Sequence, residues 1–295
     1  MRSLLFVPGD SERKIEKALG GGADVVIFDL EDSVSAGAKQ AARETVRESL
    51  DRLPPEQRSS APKLFVRVNA LDTGLTSADL TAVMPGRPDG IMQPKTRSAA
   101  DVHSLSAMLD DLEAAQGVQP GATEIIAIAT ETAGSLFHMG SYVEAGPRLA
   151  GMAWGAEDLS ADLGASANRD EHGVYTGAYQ LARTLCLLGA VAAGVDPVDT
   201  VYVNFRDDDG LRREAEACAA EGFTAKMAIH PAQVPIINEV FTPSPETLAQ
   251  AQRVIEAFAS AGDAGVIGLD GEMLDRPHLT RAEKLIARAA KYQAG

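Results

Sequence analysis

The stretch Ala23–Asp32, ADVVIFDLED, decides how the chain is read. Val25 to Phe28 is apolar without alternation, and the run ends in Asp29, Glu31 and Asp32. A short continuous apolar run is the mark of a strand buried on both faces, as parallel strands are. Working outward, comparable runs lie at Ser3–Val7, Lys63–Asn69, Asp89–Lys95, Glu124–Thr132, Gly151–Ser160, Asp199–Asn204 and Ala225–Pro231. Between them fall helix-patterned segments such as Ser11–Leu19, Lys39–Leu53, Ser98–Gln116, Gly177–Ala193 and Asp209–Glu221. Strands alternating with helices mean an α/β fold, and eight such units predict a (β/α)8 TIM barrel over residues 1–241. An open doubly wound sheet is the rival, but Pro8-Gly9-Asp10 after the first strand lacks G-x-G-x-x-G spacing. Gly20–Gly22 reads as a helix C-cap. Residues 242–295 lie outside the eight units. They predict a helix over Glu246–Ala261, a short strand pair or turn in GVIGLDGEML and a last helix over Thr280–Tyr292. This segment is short for a core of its own, so it is expected to act as a lid or oligomerisation segment, packed on this barrel or on a neighbour's.

Composition narrows the function. The 295 residues carry a formal charge of −15, which argues against nucleic acid or an anionic membrane as a partner. No run approaches the ~18 apolar residues of a membrane span, and the first residues lack a signal-peptide pattern. The two cysteines, Cys186 and Cys218, have no metal-site spacing, which fits a reduced, cytoplasmic setting.

In a barrel of this kind the chemistry sits at the C-terminal ends of the strands. Those ends carry Asp29, Glu31 and Asp32, then Arg67 and Asn69, Lys95, Glu131, Glu157 and Asp158, Asn204, and His230. Carboxylates from several strands in one mouth call for a cation, and an all-oxygen donor set suits Mg²⁺ better than zinc. The alternative for Glu157 and Asp162 is a helix cap or a solvent-facing position, and LSADLG reads as a polar loop with Ser160 or Asp162 as a cap. Arg67, inside the apolar run LFVRVN, is either ion-paired with Asp29, Glu31 or Asp32, or polarises a substrate carbonyl, and one role does not preclude the other. His230 reads as a hydrogen-bonded structural residue and Trp154 as core. Arg13 and Lys17 share a face of the first helix with Lys14 close by, and on spacing alone that face is simply solvated.

Taken in order, RSLLFVPGDSERKIEKAL, ADVVIFDLEDSV, FVRVN, ATETAGS, WGAEDLSADLG, DTVYVNFRDDDGL, AIHPAQVPIINEVFTPS and GEMLDRP resemble the citrate lyase β-subunit-like group of the HpcH/HpaI aldolase superfamily, which includes malyl-CoA and citramalyl-CoA lyases. The resemblance covers nearly the whole chain. It implies a Mg²⁺-dependent enzyme (Mn²⁺ as a substitute) that reversibly cleaves a 3-hydroxyacyl-CoA thioester to acetyl-CoA and a 2-keto acid. It implies Glu131 and Asp158 as metal ligands, Arg67 as the polarising group, and Arg13, Lys14 and Lys17 as the coenzyme A-binding face. It further implies a homotrimer or hexamer in which Asp275 of MLD enters a neighbour's site as the acid–base group. A malyl-CoA thioesterase and a citrate lyase β-subunit are the other activities the pattern allows. TAKMAIHP and TAGSLFHMG depart from the usual pattern and leave the substrate open.

Overall fold

The computed structural model describes residues 1–293 except Ser60 and Asp263. Two compact units divide the chain, Met1–Asn238 and Glu239–Gly295.

In the first unit eight strands close a parallel barrel in chain order. They are β1 (Ser3–Pro8), β2 (Val25–Asp29), β3 (Lys63–Arg67), β4 (Gly90–Gln93), β5 (Glu124–Ile128), β6 (Leu149–Ala153), β7 (Asp196–Asp199) and β8 (Ala225–Ala228). The helices between them are α1 (Glu12–Leu19), α2 (Lys39–Arg52), α3 (Thr76–Val83), α4 (Ala99–Ala115), α5 (Ala156–Leu163), α6 (Gly177–Ala193) and α7 (Asp208–Glu221), and α8 (Gln233–Phe241) follows β8. A 3-10 run, Ala133–Glu144, follows β5. Alternate strand residues form one apolar cluster: Leu4, Ile27, Phe65, Met92, Ile126, Ala153, Val198 and Met227 are all buried in it. The residues between them, such as Val26, Val66 and Met152, are equally buried, so both faces of each strand are covered and the strands read as unbroken apolar runs. Phe65 needs Gly90 on the neighbouring strand, since a Cβ there would lie 2.1 Å from its ring.

Two strands differ from the sequence reading. The seventh is Asp196–Asp199, ahead of the expected Asp199–Asn204. Pro197 argues against a strand, yet it sits in register with Met152 while Val198 enters the barrel cluster. Val203, in the expected strand, is instead 53% exposed. The sixth strand stops at Ala153, so Glu157 and Asp158 lie in the first turn of α5 rather than on the strand.

In the second unit α9 (Pro245–Ser260) is capped by the Ser244 hydroxyl, which accepts from the Thr247 amide. A hairpin follows, β9 (Val266–Leu269) and β10 (Glu272–Asp275), and then α10 (Arg276–Gln293). The hairpin turns at Asp270 and Gly271, both at positive φ (54° and 84°), as a two-residue turn matching strand twist requires. Contrary to expectation, this segment has its own small core of Ala251, Val254, Phe258, Leu274 and Ala282, with Ile267 and Leu269 packed against it. Two amphipathic helices over one face of a hairpin suffice to bury it. The other face leaves Met273 78% and Val266 52% exposed.

Candidate active site

Asp29 and Arg67 end adjacent strands as register partners. Each stands two residues beyond an interior residue, Ile27 and Phe65, so strand alternation turns both toward the barrel axis at the mouth. The guanidinium grips Asp29 with both oxygens, Nε to Oδ1 and Nη2 to Oδ2 at 2.7 Å each. Nη1 lies 3.0 Å from Glu31 Oε2 and 3.6 Å from Asp32 Oδ2, and the group sits 4.8 Å from the Phe6 ring centre. Asp29 also accepts from the amides of Glu31 and Ser33. Burial works against ionisation of Asp29, but the Arg67 bonds outweigh it and hold the carboxyl below its ordinary range. Arg67 is held charged in the same way. The ion-pair reading of Arg67 is therefore the observed one, and it fixes the plane of the guanidinium at the mouth.

Across the mouth, Lys95 follows β4 with a left-handed backbone, φ 50°. Its amide donates to the Glu131 carboxylate. Its ammonium lies 2.6 Å from Glu31 Oε1 and 3.0 Å from Asp158 Oδ1. Glu131 is buried, and Gly155 makes room for it, since a Cβ at 155 would meet Glu131 Cγ at 2.7 Å. Desolvation, then the charges of Asp158 and Glu31, push the Glu131 carboxyl up to about 8. Burial likewise raises Glu31. Among the described residues no three His, Cys, Asp or Glu side chains form a ready-made metal cluster. Glu131 and Asp158 offer a pair of hard oxygen ligands, one of them buried and short of positive charge. That fits a divalent cation that keeps coordination positions for water and substrate.

The remaining predicted residues separate. Asp162, expected as a cap of the next helix, lies exposed in the last turn of α5 instead, where its carboxylate accepts from the Ala133 amide at 2.7 Å. Glu157 accepts from Asn168 Nδ2. His230 Nδ1 accepts from the Ala232 amide, and its ring stacks on Phe205 at 4.9 Å. Arg13, Lys14 and Lys17 are exposed on α1, whose Ile15 and Ala18 are buried. Asp275 ends β10 in the second unit, exposed, with Oδ1 2.5 Å from His278 Nδ1. Sequence reasoning placed Lys95 in the mouth but assigned it no role. Its left-handed backbone and its contacts to acids far away along the chain, Glu31 after β2 and Asp158 in α5, have no signal in QPKTR.

These features can be set beside known proteins. The model of the HpcH/HpaI aldolase/citrate lyase family matches residues 2–231. The chain belongs to that family. It is therefore an enzyme of a lyase family, and a closed eight-stranded parallel barrel is its fold. A (3S)-malyl-CoA thioesterase of Cereibacter sphaeroides is 38% identical over 99% of this chain and 96% of its own. The citrate lyase subunit beta of Leuconostoc mesenteroides is 34% identical over 98% and 93%. The crystal structure of CitE from Mycobacterium tuberculosis in complex with magnesium, acetoacetate and coenzyme A is 36% identical, covers 98% of both chains and superposes with a TM-score of 0.78. As in the sequence, no described helix is long and apolar enough to cross a membrane.

Proposed function

We propose that the protein is a Mg²⁺-dependent carbon–carbon lyase acting on a malyl-CoA or citramalyl-CoA type thioester. The observation that carries this reading is the pairing of two opposite needs in one mouth. Glu131 is a buried carboxylate short of positive charge, and Arg67 is a guanidinium held rigidly on Asp29. In this reading Glu131 and Asp158 hold the ion, and Mn²⁺ can replace it. When bound, a divalent cation neutralises substrate carboxylate and hydroxyl oxygens. In cleavage, Asp275 takes the hydroxyl proton and the hydroxyl-bearing carbon becomes the carbonyl of the 2-keto acid. The bond between that carbon and the one next to the thioester breaks, leaving its electron pair as the enolate of acetyl-CoA. Arg67 donates to the enolate oxygen from a fixed position, without reorganising as charge develops. Asp275 protonates the enolate carbon, and in synthesis it removes that proton. Arg13, Lys14 and Lys17 pair with coenzyme A phosphates.

In the same reading the protein is a cytoplasmic homotrimer or hexamer, residues 242–295 form the lid, and Asp275 serves a neighbour's barrel. Mixing Asp275→Asn with Glu131→Gln subunits, under conditions of proven exchange, should then restore part of the activity. No recovery would end the shared-site reading.

The 38% identity with a malyl-CoA thioesterase supports a second reading, hydrolysis of the thioester by water in the same mouth. One experiment separates the two: malyl-CoA and citramalyl-CoA incubated with Mg²⁺ and followed by mass spectrometry. Acetyl-CoA with glyoxylate or pyruvate marks the lyase. Free coenzyme A with the hydroxy acid, carrying ¹⁸O from labelled water, marks the thioesterase. Neither product from either substrate sinks both.

A further inference from the structure

Lys95 does more than lend charge to the mouth. Three of its contacts reach three different acids: the amide to Glu131, the ammonium to Glu31 and to Asp158. The backbone at Lys95 is left-handed, φ 50°, a conformation that non-glycine residues take up at a cost. A strained lysine bridging both presumed metal ligands occupies ground that a divalent cation would claim. We propose that Lys95 is a positioning residue that serves as an internal counter-ion: it holds Glu131 and Asp158 together in the cation-free protein and yields Asp158 when a divalent cation binds, remaining tied to Glu31.

The inference rests on the reading of Glu131 and Asp158 as the metal pair. Its physical basis is competition. Asp158 cannot give its full charge both to an ammonium 3.0 Å away and to an incoming ion. The side chains of Lys95 and Asp158 are 30% and 32% exposed, so the ammonium has an open path away from the carboxylate. Its second partner, Glu31, is 7% exposed and anchors it.

The test is Mn²⁺ binding followed by electron paramagnetic resonance, together with thermal melting, on the wild type, Lys95→Met and Lys95→Arg. The Met variant should melt lower without metal, because Glu31 and Asp158 lose their shared ammonium while the amide bond to Glu131 stays. It should nevertheless bind Mn²⁺ more tightly, by about 10-fold, the scale of one partly screened unit charge at this range. Lys95→Arg keeps the charge and should keep near wild-type affinity. A merely structural lysine would lower the melting temperature and leave affinity unchanged or weaker, and that result overturns the proposal. If the Met variant does not fold, Lys95→Gly carries the same test, since glycine favours the positive φ. Absence of Mn²⁺ binding in the wild type would overturn the metal-pair reading itself and this proposal with it. Wild-type binding with unshifted affinity in the charge-removing variant would overturn this proposal alone.

Discussion

Two lysines of this barrel, Lys95 and Lys226, each bridge two carboxylates, and the surroundings of the two bridges differ in charge. Lys226 is fully buried on β8, facing outward from the barrel between β7 and α7. Its ammonium meets Asp199 at 2.6 Å, the Thr200 carbonyl at 2.8 Å and Glu214 at 3.0 Å. Trp154 Nε1 donates to Asp199 at 2.6 Å, Arg183 approaches Asp199 and Glu221, and Arg169 pairs with Glu214 at 2.7 Å. There three cations (Lys226, Arg183, Arg169) face three acids (Asp199, Glu214, Glu221). Burial opposes ionisation of Asp199, yet Lys226 and Arg183 hold it below its ordinary range. At the mouth, two cations (Arg67, Lys95) face five acids (Asp29, Glu31, Asp32, Glu131, Asp158). There burial and like charges raise Glu31 and push Glu131 up to about 8. The balanced cluster is complete and ties the barrel wall to its helices. The unbalanced one is short of cations, which is the condition the proposed metal pair requires.

The comparison can be broken in four ways. The largest effect is expected from Glu131→Gln. Activity should fall by about 10³-fold or more, beyond the ~10²–10³ lost with a single transition-state donor, because the proposed metal ligand goes as well. The melting temperature should hold or rise, since a carboxyl that resists ionisation is removed. A folded, fully active variant would erase the distinction between the clusters.

In the wall, Lys226→Met should cost stability, about 3–5 kcal/mol, because buried Asp199 loses the ammonium 2.6 Å away and keeps only Trp154 Nε1 and the more distant Arg183. Denaturant unfolding measures this, and Mn²⁺ affinity of the folded fraction should not change. A shift in affinity would mean the two clusters are coupled.

Arg67→Lys keeps a charge beside Asp29 but loses the planar grip. A drop in kcat of about 10²–10³-fold is expected, with a smaller stability loss than in Lys226→Met. Failure to fold would make Arg67 a wall residue in all but position.

The smallest effect is in pH. Glu131 is protonated in the cation-free protein below about 8 and must ionise to bind a divalent ion. Affinity measured by calorimetry should therefore weaken by about 10-fold per pH unit on acidification below that point. The sign for stability is the reverse of the usual carboxylate case. The folded-state value lies above the ordinary 4.5, so the folded protein keeps a proton that the unfolded chain has lost. The cation-free protein should then lose stability as pH rises from about 4.5 to about 8, and Mg²⁺ should restore it.

Much of this was legible in the chain. Unbroken apolar runs such as VVIF and LFV identify parallel strands because both their faces are covered, whatever covers them. Acids and an arginine at the ends of those runs mark the mouth, because barrel closure brings strand ends together. The ordered set of motifs identifies the family. What the chain could not convey depends on partners far apart in sequence. Strand β7 lies at DPVD because Asp199 meets Lys226, 27 residues on, and Val198 fills the barrel. Asp158 sits in the first turn of α5 rather than on a strand because β6 ends where its pairing with β7 ends. The last segment holds a core of its own because a hairpin face and two helices meet there, which hydrophobic content alone does not predict. Residue types and their order determined the barrel and the contents of its mouth, since both follow from local pattern and strand alternation. Only the tertiary structure decided which cluster of charges is neutral and which is short of cations, because that balance is set by distance and burial between side chains that no local pattern brings together.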